Sequence, residues 1–363
     1  MNKKIKSIIA VGGTGGHVIP GLNLAKHLNE KNFSVDIVSD KRGEKYVKEN
    51  YFKVFILPSS PVNTKNILTF LSSLLMILYS ILRSFFFLII NRPKIIFGMG
   101  GYASFPICIA ASILRIKFLI YENNLIIGKA NKYLLPFAEK ILISNKEIEG
   151  IHHKYKDKVI EIGNVIKKEI INMSKDLKQN NKQKISILIL GGSQAAKTFA
   201  NILPLVFKNC SDKGIVLKIY QQCLPEQNED LNQFYKKNHL DCHIFNFSNN
   251  VSEYFSKVNL AITRSGSSML AELTNANIPF ISVPLPSSAD NHQFKNARFY
   301  ERKKFGFLIQ EKDLKEKLIY FIKEIYANNS ILEKIKKNQR QYSDKNVYNN
   351  IDQVLKNIID EKN

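Results

Sequence analysis

Cysteine is scarce in this chain. Its 363 residues include four, Cys108, Cys210, Cys223 and Cys242, with no C-x-x-C pair and no metal-ligand spacing to histidine. That argues against a disulfide framework or a cysteine zinc site, and it fits a reducing cytosol. No D-x-D pair occurs, so a metal-bridged diphosphate is not expected. No metal or cofactor is assigned, and N–H groups with helix dipoles must carry any phosphate charge. No basic run interleaves with aromatics in a recognisable motif, which disfavours nucleic acid. No secretory leader is expected, because Lys3, Lys4 and Lys6 lead straight into a strand and a glycine turn. Acidic residues are in deficit, 31 Asp and Glu against 53 Lys and Arg, for a net charge of +22. Lysine is spread through almost every loop, so general enrichment is the first reading; attraction to an anionic membrane or acidic substrate is the second.

Against these absences stand three glycine-rich loops, each directly after an apolar, strand-like run. They are Gly12-Gly13-Thr14-Gly15-Gly16-His17, Gly98-Met99-Gly100-Gly101-Tyr102 and Gly191-Gly192-Ser193-Gln194. A strand-to-helix turn without Cβ atoms lets N–H groups approach a phosphate, and the positive end of the following helix favours the anion. Strand and helix patterns alternate from Ile5–Val11 to Lys140–Ile143, and again from Ile185–Leu190 to Phe280–Val283. This predicts doubly wound parallel sheets in two α/β halves. The text turns polar after Glu161-Ile162-Gly163-Asn164-Val165, and the Lys- and Asn-rich stretch to Lys184 reads as the linker. Domains are expected at 1–162 and 163–342, with a helix over about 343–363 packing back on the first.

Ile67–Ile90 is a 24-residue apolar run whose only charge is Arg83. Its length would span a bilayer. Yet Ser72, Ser73, Tyr79, Ser80, Arg83 and Ser84 fall along one side at helical spacing, and a strand follows at once. The expectation is an amphipathic helix lying on a membrane surface, with Lys65, Arg83, Arg92 and Lys94 near anionic headgroups; a buried core helix and a true span are the alternatives.

The first loop lacks the third glycine of the dinucleotide fingerprint, since Val18 stands there. His17 ends the loop instead, well placed for proton transfer near neutral pH, although a capping role is open. Asp40, ending the second strand, is where a dinucleotide enzyme would hold a ribose. Glu122, in Tyr121-Glu122-Asn123-Asn124, is a second candidate acid or base, or else a structural cap. In the second half, Arg264-Ser265-Gly266-Ser267 opens a helix offering hydroxyls and N–H groups to phosphate. Glu272 could hold ribose hydroxyls, and Asp290-Asn291-His292-Gln293 could meet a sugar.

Taken in order, Gly12–Gly16 with His17 and Pro20, Gly98–Tyr102, Glu122 with Asn124, Gly191–Gln194 and Arg264–Glu272 closely resemble the MurG family of peptidoglycan N-acetylglucosaminyltransferases, glycosyltransferase family 28. The resemblance covers nearly the whole chain. It implies a GT-B fold, two Rossmann-like domains with parallel sheets facing a central cleft. It also implies inverting transfer of N-acetylglucosamine from its UDP donor to the C4 hydroxyl of an undecaprenyl-diphosphate-linked muramoyl pentapeptide, at the cytoplasmic membrane face. On that template His17 is the leading base and Glu122 the second. Thr14, Gly15, Gly16, Asn124, Lys167, Ser193, Ser267, Ser268, Met269, Leu270, Ala271, Glu272 and Gln293 would bind the donor. Gly13, Gly100, Gly101 and Tyr102 would meet the acceptor diphosphate. The chain departs from the family pattern at Asn123, at Val165 and Lys167 (proline and arginine being usual), at Ala195 and at His292. Another GT-B enzyme, such as a diacylglycerol glycosyltransferase, and a UDP-sugar epimerase are the rival readings.

Overall fold

The computed structural model describes residues 4–13, 15–47, 52–59, 66–173, 184–246, 248 and 250–360. It divides into two compact units, one of Met1–Lys168 with Asp344–Asn363 and one of Glu169–Ser343. The first unit carries seven strands: β1 (Ile5–Ala10), β2 (Phe33–Ser39), β3 (Lys53–Ile56), β4 (Ile95–Gly98), β5 (Phe118–Glu122), β6 (Lys140–Ile143) and β7 (Val159–Glu161). All pair in parallel in the order β3-β2-β1-β4-β5-β6-β7. Central strands such as Ile95–Gly98 are buried throughout, as their unbroken apolar runs require of a sheet covered on both faces. The winding direction switches between β1 and β4, where Ala10 pairs with Gly98. The first two glycine loops therefore leave neighbouring strands side by side.

Three helices of this unit bear on function: α1 (Gly15–Glu30), α2 (Ile67–Asn91) and α3 (Ser104–Ile113). Helix α1 begins at Gly15 and carries Pro20 in its interior. Proline has no N–H for the carbonyl four residues back. That carbonyl, on Gly16, accepts instead from Asn123 Nδ2 at 3.1 Å, so the helix runs through the proline without leaving the group unpaired.

Three serines of the expected polar side of α2 face inward, whereas Ser72 and Tyr79 are exposed. Ser73, Ser80, Ser84 and Leu88 are buried, while Leu75 is 67% and Ile90 81% exposed. The serines satisfy themselves locally: Ser84 donates to the Ser80 carbonyl (2.7 Å), and Ser80 to the Pro58 carbonyl (2.5 Å). The one charge, Arg83, lies over the Phe55 ring at 5.1 Å, and Phe55 stacks on Phe87 at 4.1 Å. This is the inverse of a water-facing amphipathic helix.

The second unit has six parallel strands: β8 (Ile185–Leu190), β9 (Leu217–Gln222), β10 (Asp241–Phe245), β11 (Leu260–Thr263), β12 (Phe280–Ser282) and β13 (Phe307–Leu308), ordered β10-β9-β8-β11-β12-β13. Its winding switches between β8 and β11. Helices α4 (Gly192–Ser211), α5 (Ser267–Asn275) and α6 (His292–Arg302) follow β8, β11 and β12. Ile187, Ile189, Phe199, Leu203 and Phe207 belong to the core between β8 and α4. The sequence did not disclose the short strands β7, β10 and β13, whose apolar content is too small to mark a periodicity.

The last helix, α7 (Val347–Asp360), packs on the first unit. Tyr348 Oη donates to the Ile166 carbonyl at 2.6 Å, and His27 Nε2 meets Asp352 Oδ1 at 2.7 Å. The segment before the break is also anchored, because Asn164 N–H donates to Asp344 Oδ1 at 2.8 Å. The chain thus stays with the first unit to Lys168 rather than leaving it at Gly163. Most of the expected linker, 174–183, lies outside the described residues.

Candidate functional site

At the carboxyl edge of the first sheet, the loops after β1 and β4 interlock. Gly100 and Gly101 have φ of +91° and +81°. A Cβ on Gly100 would sit 2.8 Å from both Cε1 and Nδ1 of His17, and one on Gly101 would overlap the Gly12 carbonyl. Only glycine allows this approach. The half-buried His17 imidazole is thereby laid over the second glycine loop, at the switch point where parallel sheets collect ligands. Thr14 lies outside the described residues.

Asp40 ends β2 beneath this junction. It accepts from Gly13 N–H (3.0 and 3.1 Å to its two oxygens), Gly43 N–H (2.7 Å), Arg42 Nη2 (3.0 Å) and Ser59 Oγ (2.9 Å). Burial pushes its carboxyl up, but the Gly43 and Gly13 N–H groups, Arg42 and Ser59 outweigh that and hold it below the ordinary value of 3.8. A carboxylate so occupied has no capacity left for a ribose hydroxyl, and the dinucleotide reading of Asp40 falls. It fixes the first glycine loop instead.

Glu122 is treated likewise. It is 1% exposed; Oε1 accepts from Asn124 N–H (3.1 Å) and Asn124 Nδ2 (2.9 Å), and Oε2 from Gly128 N–H (2.9 Å) and Asn131 Nδ2 (3.0 Å). Four donors fill a carboxylate's usual acceptor positions. This geometry turns Glu122 from a candidate base into the anchor of the loop that presents Asn124. Asn123, overlooked in the sequence except as a departure, ties that loop to the first glycine turn through the Gly16 carbonyl. At the other departure, Val165 N–H donates to Tyr121 Oη at 3.0 Å, a bond that proline could not make. Lys167 follows, half-buried.

The second unit builds its edge on a cation. Arg264 is buried under the loops after β11 and β12: Nη1 donates to the carbonyls of Val283 and Pro284 (both 3.3 Å), Nη2 pairs with Glu311, and the guanidinium lies 4.7 Å from the Phe199 ring centroid. Gly192, at φ +63°, donates its N–H to Gln222 Oε1 at 3.3 Å. The side chains of Ser193–Ala196 lie outside the described residues. Ser267, Ser268 and Met269 occupy the first turn of α5, where backbone N–H groups have no acceptor within the helix. Leu270 and Ala271 do not share that property. Their side chains are fully buried, and Leu270 N–H already donates to the Gly266 carbonyl at 3.1 Å. Their side chains belong to the core behind this edge. Glu272 is buried on the same helix. Gln293 Oε1 accepts from Leu285 N–H at 2.9 Å, which pins its carboxamide to the polar loop before α6.

Among the sequence-expected residues, the first sheet edge gathers His17, Gly100, Gly101, Tyr102, Glu122 and Asn124; the second gathers Gly192, Ser267, Ser268, Met269, Glu272 and Gln293. Arg42 and Asn123, which bond Asp40 and the Gly16 carbonyl at this edge, were not among the residues expected there.

Comparison with known proteins gives the family and the fold. Residues 7–143 match the glycosyltransferase family 28 N-terminal domain, and residues 186–353 the family 28 C-terminal domain. The chain is 35% identical, over 99% of its length and 100% of the relative's, to the UDP-N-acetylglucosamine–N-acetylmuramyl-(pentapeptide) pyrophosphoryl-undecaprenol N-acetylglucosamine transferase of Pelagibacter ubique. It is 32% identical to the Francisella tularensis protein of the same description, covering 99% of both chains. Among solved structures, Acinetobacter baumannii MurG superimposes with a TM-score of 0.78 at 23% identity, over 97% of this chain and 99% of that one.

Proposed function

The chain belongs to glycosyltransferase family 28, and we infer that it transfers N-acetylglucosamine from UDP-N-acetylglucosamine to the C4 hydroxyl of the muramoyl pentapeptide carried on undecaprenyl diphosphate, with inversion. The observation that carries this reading is a full-length likeness to transferases of that description, spanning both halves of the chain. The fold is GT-B. An epimerase of similar architecture would have no use for the lipid-facing helix described below.

The first unit takes the acceptor. His17 removes the proton from the C4 hydroxyl, whose oxygen attacks the anomeric carbon as the bond to the UDP oxygen breaks. The glycine loops at Gly13 and Gly100–Tyr102 receive the acceptor diphosphate. Glu122 holds Asn124 in place without exchanging protons. The second unit takes the donor. UDP departs with the bonding electrons onto N–H groups at Ser193 and at Ser267, Ser268 and Met269, while Glu272 and Gln293 hold ribose and sugar. Thr14, Gly15, Gly16 and Lys167 complete the donor contacts.

The outward apolar face of α2, with Ile113 at the end of α3 and Tyr133 and Phe137 nearby also exposed, lies against the membrane that holds the acceptor. Lys94 and Arg92 beside it meet anionic headgroups; Lys65 lies outside the described residues. By length and composition alone the helix could cross a bilayer, but its inward serines and its packing beside α3 fit a helix lying in the interface.

The test is transfer of labelled N-acetylglucosamine from its UDP donor to a short-chain lipid I analogue, with diacylglycerol and acceptor-free controls. Product with the lipid I analogue alone is the expected outcome. Transfer to diacylglycerol would reassign the acceptor, and donor turnover without acceptor would point to an epimerase or hydrolase.

A further inference from the structure

We propose that Arg42 binds the acceptor diphosphate, setting acceptor affinity while leaving the donor site alone. This rests on the reaction assigned above. Arg42 sits where the two glycine loops of the first unit meet. Its Nη2 bonds Asp40 Oδ2 at 3.0 Å, its guanidinium carbon lies 5.5 Å from the Tyr102 ring centroid, and a Cβ on Gly13 would come within 3.8 Å of Nη2. Asp40 is buried, whereas the Arg42 side chain is half exposed. The guanidinium is thus held at one corner and presents the rest of its fork outward.

Three physical arguments converge on a diphosphate. First, a planar fork positioned by stacking and by a buried carboxylate loses little freedom when it binds, and its geometry matches two phosphate oxygens. Second, Asp40 already consumes the Gly13 N–H and sets a negative charge under the loop. Backbone amides alone would leave an incoming diphosphate facing that charge, so a cation is needed there, and Arg42 supplies it. Third, the chain uses lysine as its default cation, with only eight arginines among 53 basic residues. Arg42 is the only arginine before Arg83, and it stands at the glycine junction rather than on a solvated helix face.

The experiment measures steady-state kinetics of Arg42→Ala and Arg42→Lys with the short-chain lipid I analogue, and with an analogue whose diphosphate is replaced by a neutral linker of equal length. Thermal melting runs in parallel. For Arg42→Ala the KM for the diphosphate acceptor should rise at least about tenfold. Arg42→Lys should fall between it and the unsubstituted enzyme, with the KM for UDP-N-acetylglucosamine within about twofold in both. On the neutral-linker acceptor the unsubstituted and alanine enzymes should perform alike. A merely structural strut for Asp40 predicts something else: kcat, both KM values and the melting temperature would move together, equally on both acceptors. That result, or an unchanged acceptor KM, overturns the proposal. If the unsubstituted enzyme fails to glycosylate the lipid I analogue, the reaction assignment fails first and this proposal goes with it. A shift confined to the variants concerns Arg42 alone.

Discussion

The two units share a doubly wound parallel sheet with a glycine loop at its switch point, yet they organise that edge differently. The first ties its loops to two buried carboxylates, Asp40 and Glu122; the second ties its loops to a buried guanidinium, Arg264, paired with Glu311, and also buries Glu272 on α5. A carboxylate only accepts, so it gathers N–H groups, including that of Gly13 in the very loop that follows β1. A guanidinium only donates, so it gathers carbonyls, here those of Val283 and Pro284. Even the Gly192 N–H meets only a neutral amide oxygen at 3.3 Å. On the function proposed above, the second edge receives the departing diphosphate, while the first supplies charge and proton transfer through Arg42 and His17 and carries the exposed apolar face of α2.

Substitutions can break this contrast, and the largest effect is expected at His17. Its replacement by alanine should lower kcat by about 10²–10⁴-fold while UDP binding, measured by calorimetry, stays as it was. Full turnover in that variant would remove the base assignment. Next comes Arg264→Leu, which leaves Glu311 without its buried partner and two carbonyls without donors. A loss of about 3–5 kcal/mol is expected, confined to the second unit. Region-resolved hydrogen exchange would reveal whether the first unit loosens equally, an outcome that would erase the distinction. The pair Leu75→Glu and Leu82→Glu places charge on the outward face of α2, where each leucine in contact with lipid is worth about 1.5–3 kcal/mol. Flotation with anionic vesicles should show the double variant left behind. Unchanged retention would move the membrane contact elsewhere.

Smaller effects sharpen the picture. Glu122→Gln sets an NH₂ group against N–H donors and should cost about 1–3 kcal/mol of stability. With Glu122 as anchor the pH–rate profile should keep its shape; loss of its acidic limb would reinstate Glu122 as the base. The smallest effect concerns α7. Burial pulls the His27 imidazole below its ordinary value of 6.5, against the opposing hydrogen bond and charge of Asp352, with Lys168 and Lys31 adding to the downward pull. The unfolded chain therefore binds the proton more readily. The contribution is fully present above about 6.5 and is lost as pH falls through the window below it. Exchange protection of α7 should decline on acidification in that window, whereas a rise would contradict the burial argument.

The glycine loops, the alternating strands and the long apolar run were legible because each is a local pattern with a single physical reading. So was His17, which stands inside such a pattern. The roles of Asp40 and Glu122 were not. As sequence, a carboxylate ending a strand reads equally as ribose anchor, base or cap, and only the count of N–H donors around it decides. The orientation of α2 was half legible: the spacing of Ser72, Ser73, Tyr79, Ser80, Arg83 and Ser84 defined one side of the helix, but not that Ser73, Ser80 and Ser84 turn inward while Ser72 and Tyr79 stay exposed. Leu270 and Ala271 were read from a motif's continuity, although helix phase turns them into the core.

Sequence alone thus determined the class of fold and the place of the glycine turns, and it singled out a candidate base, since backbone freedom and apolar periodicity are properties of neighbouring residues. The tertiary structure decided what each polar group has left to give. The register of β1 against β4 brings His17 over Gly100, and the Gly16 carbonyl left without a donor by Pro20 is claimed by Asn123. The hydrogen-bonding capacity of a side chain is spent on whatever the fold places beside it, whether a turn a few residues on, as at Glu122, or a strand end far along the chain, as where Asn123 meets Gly16.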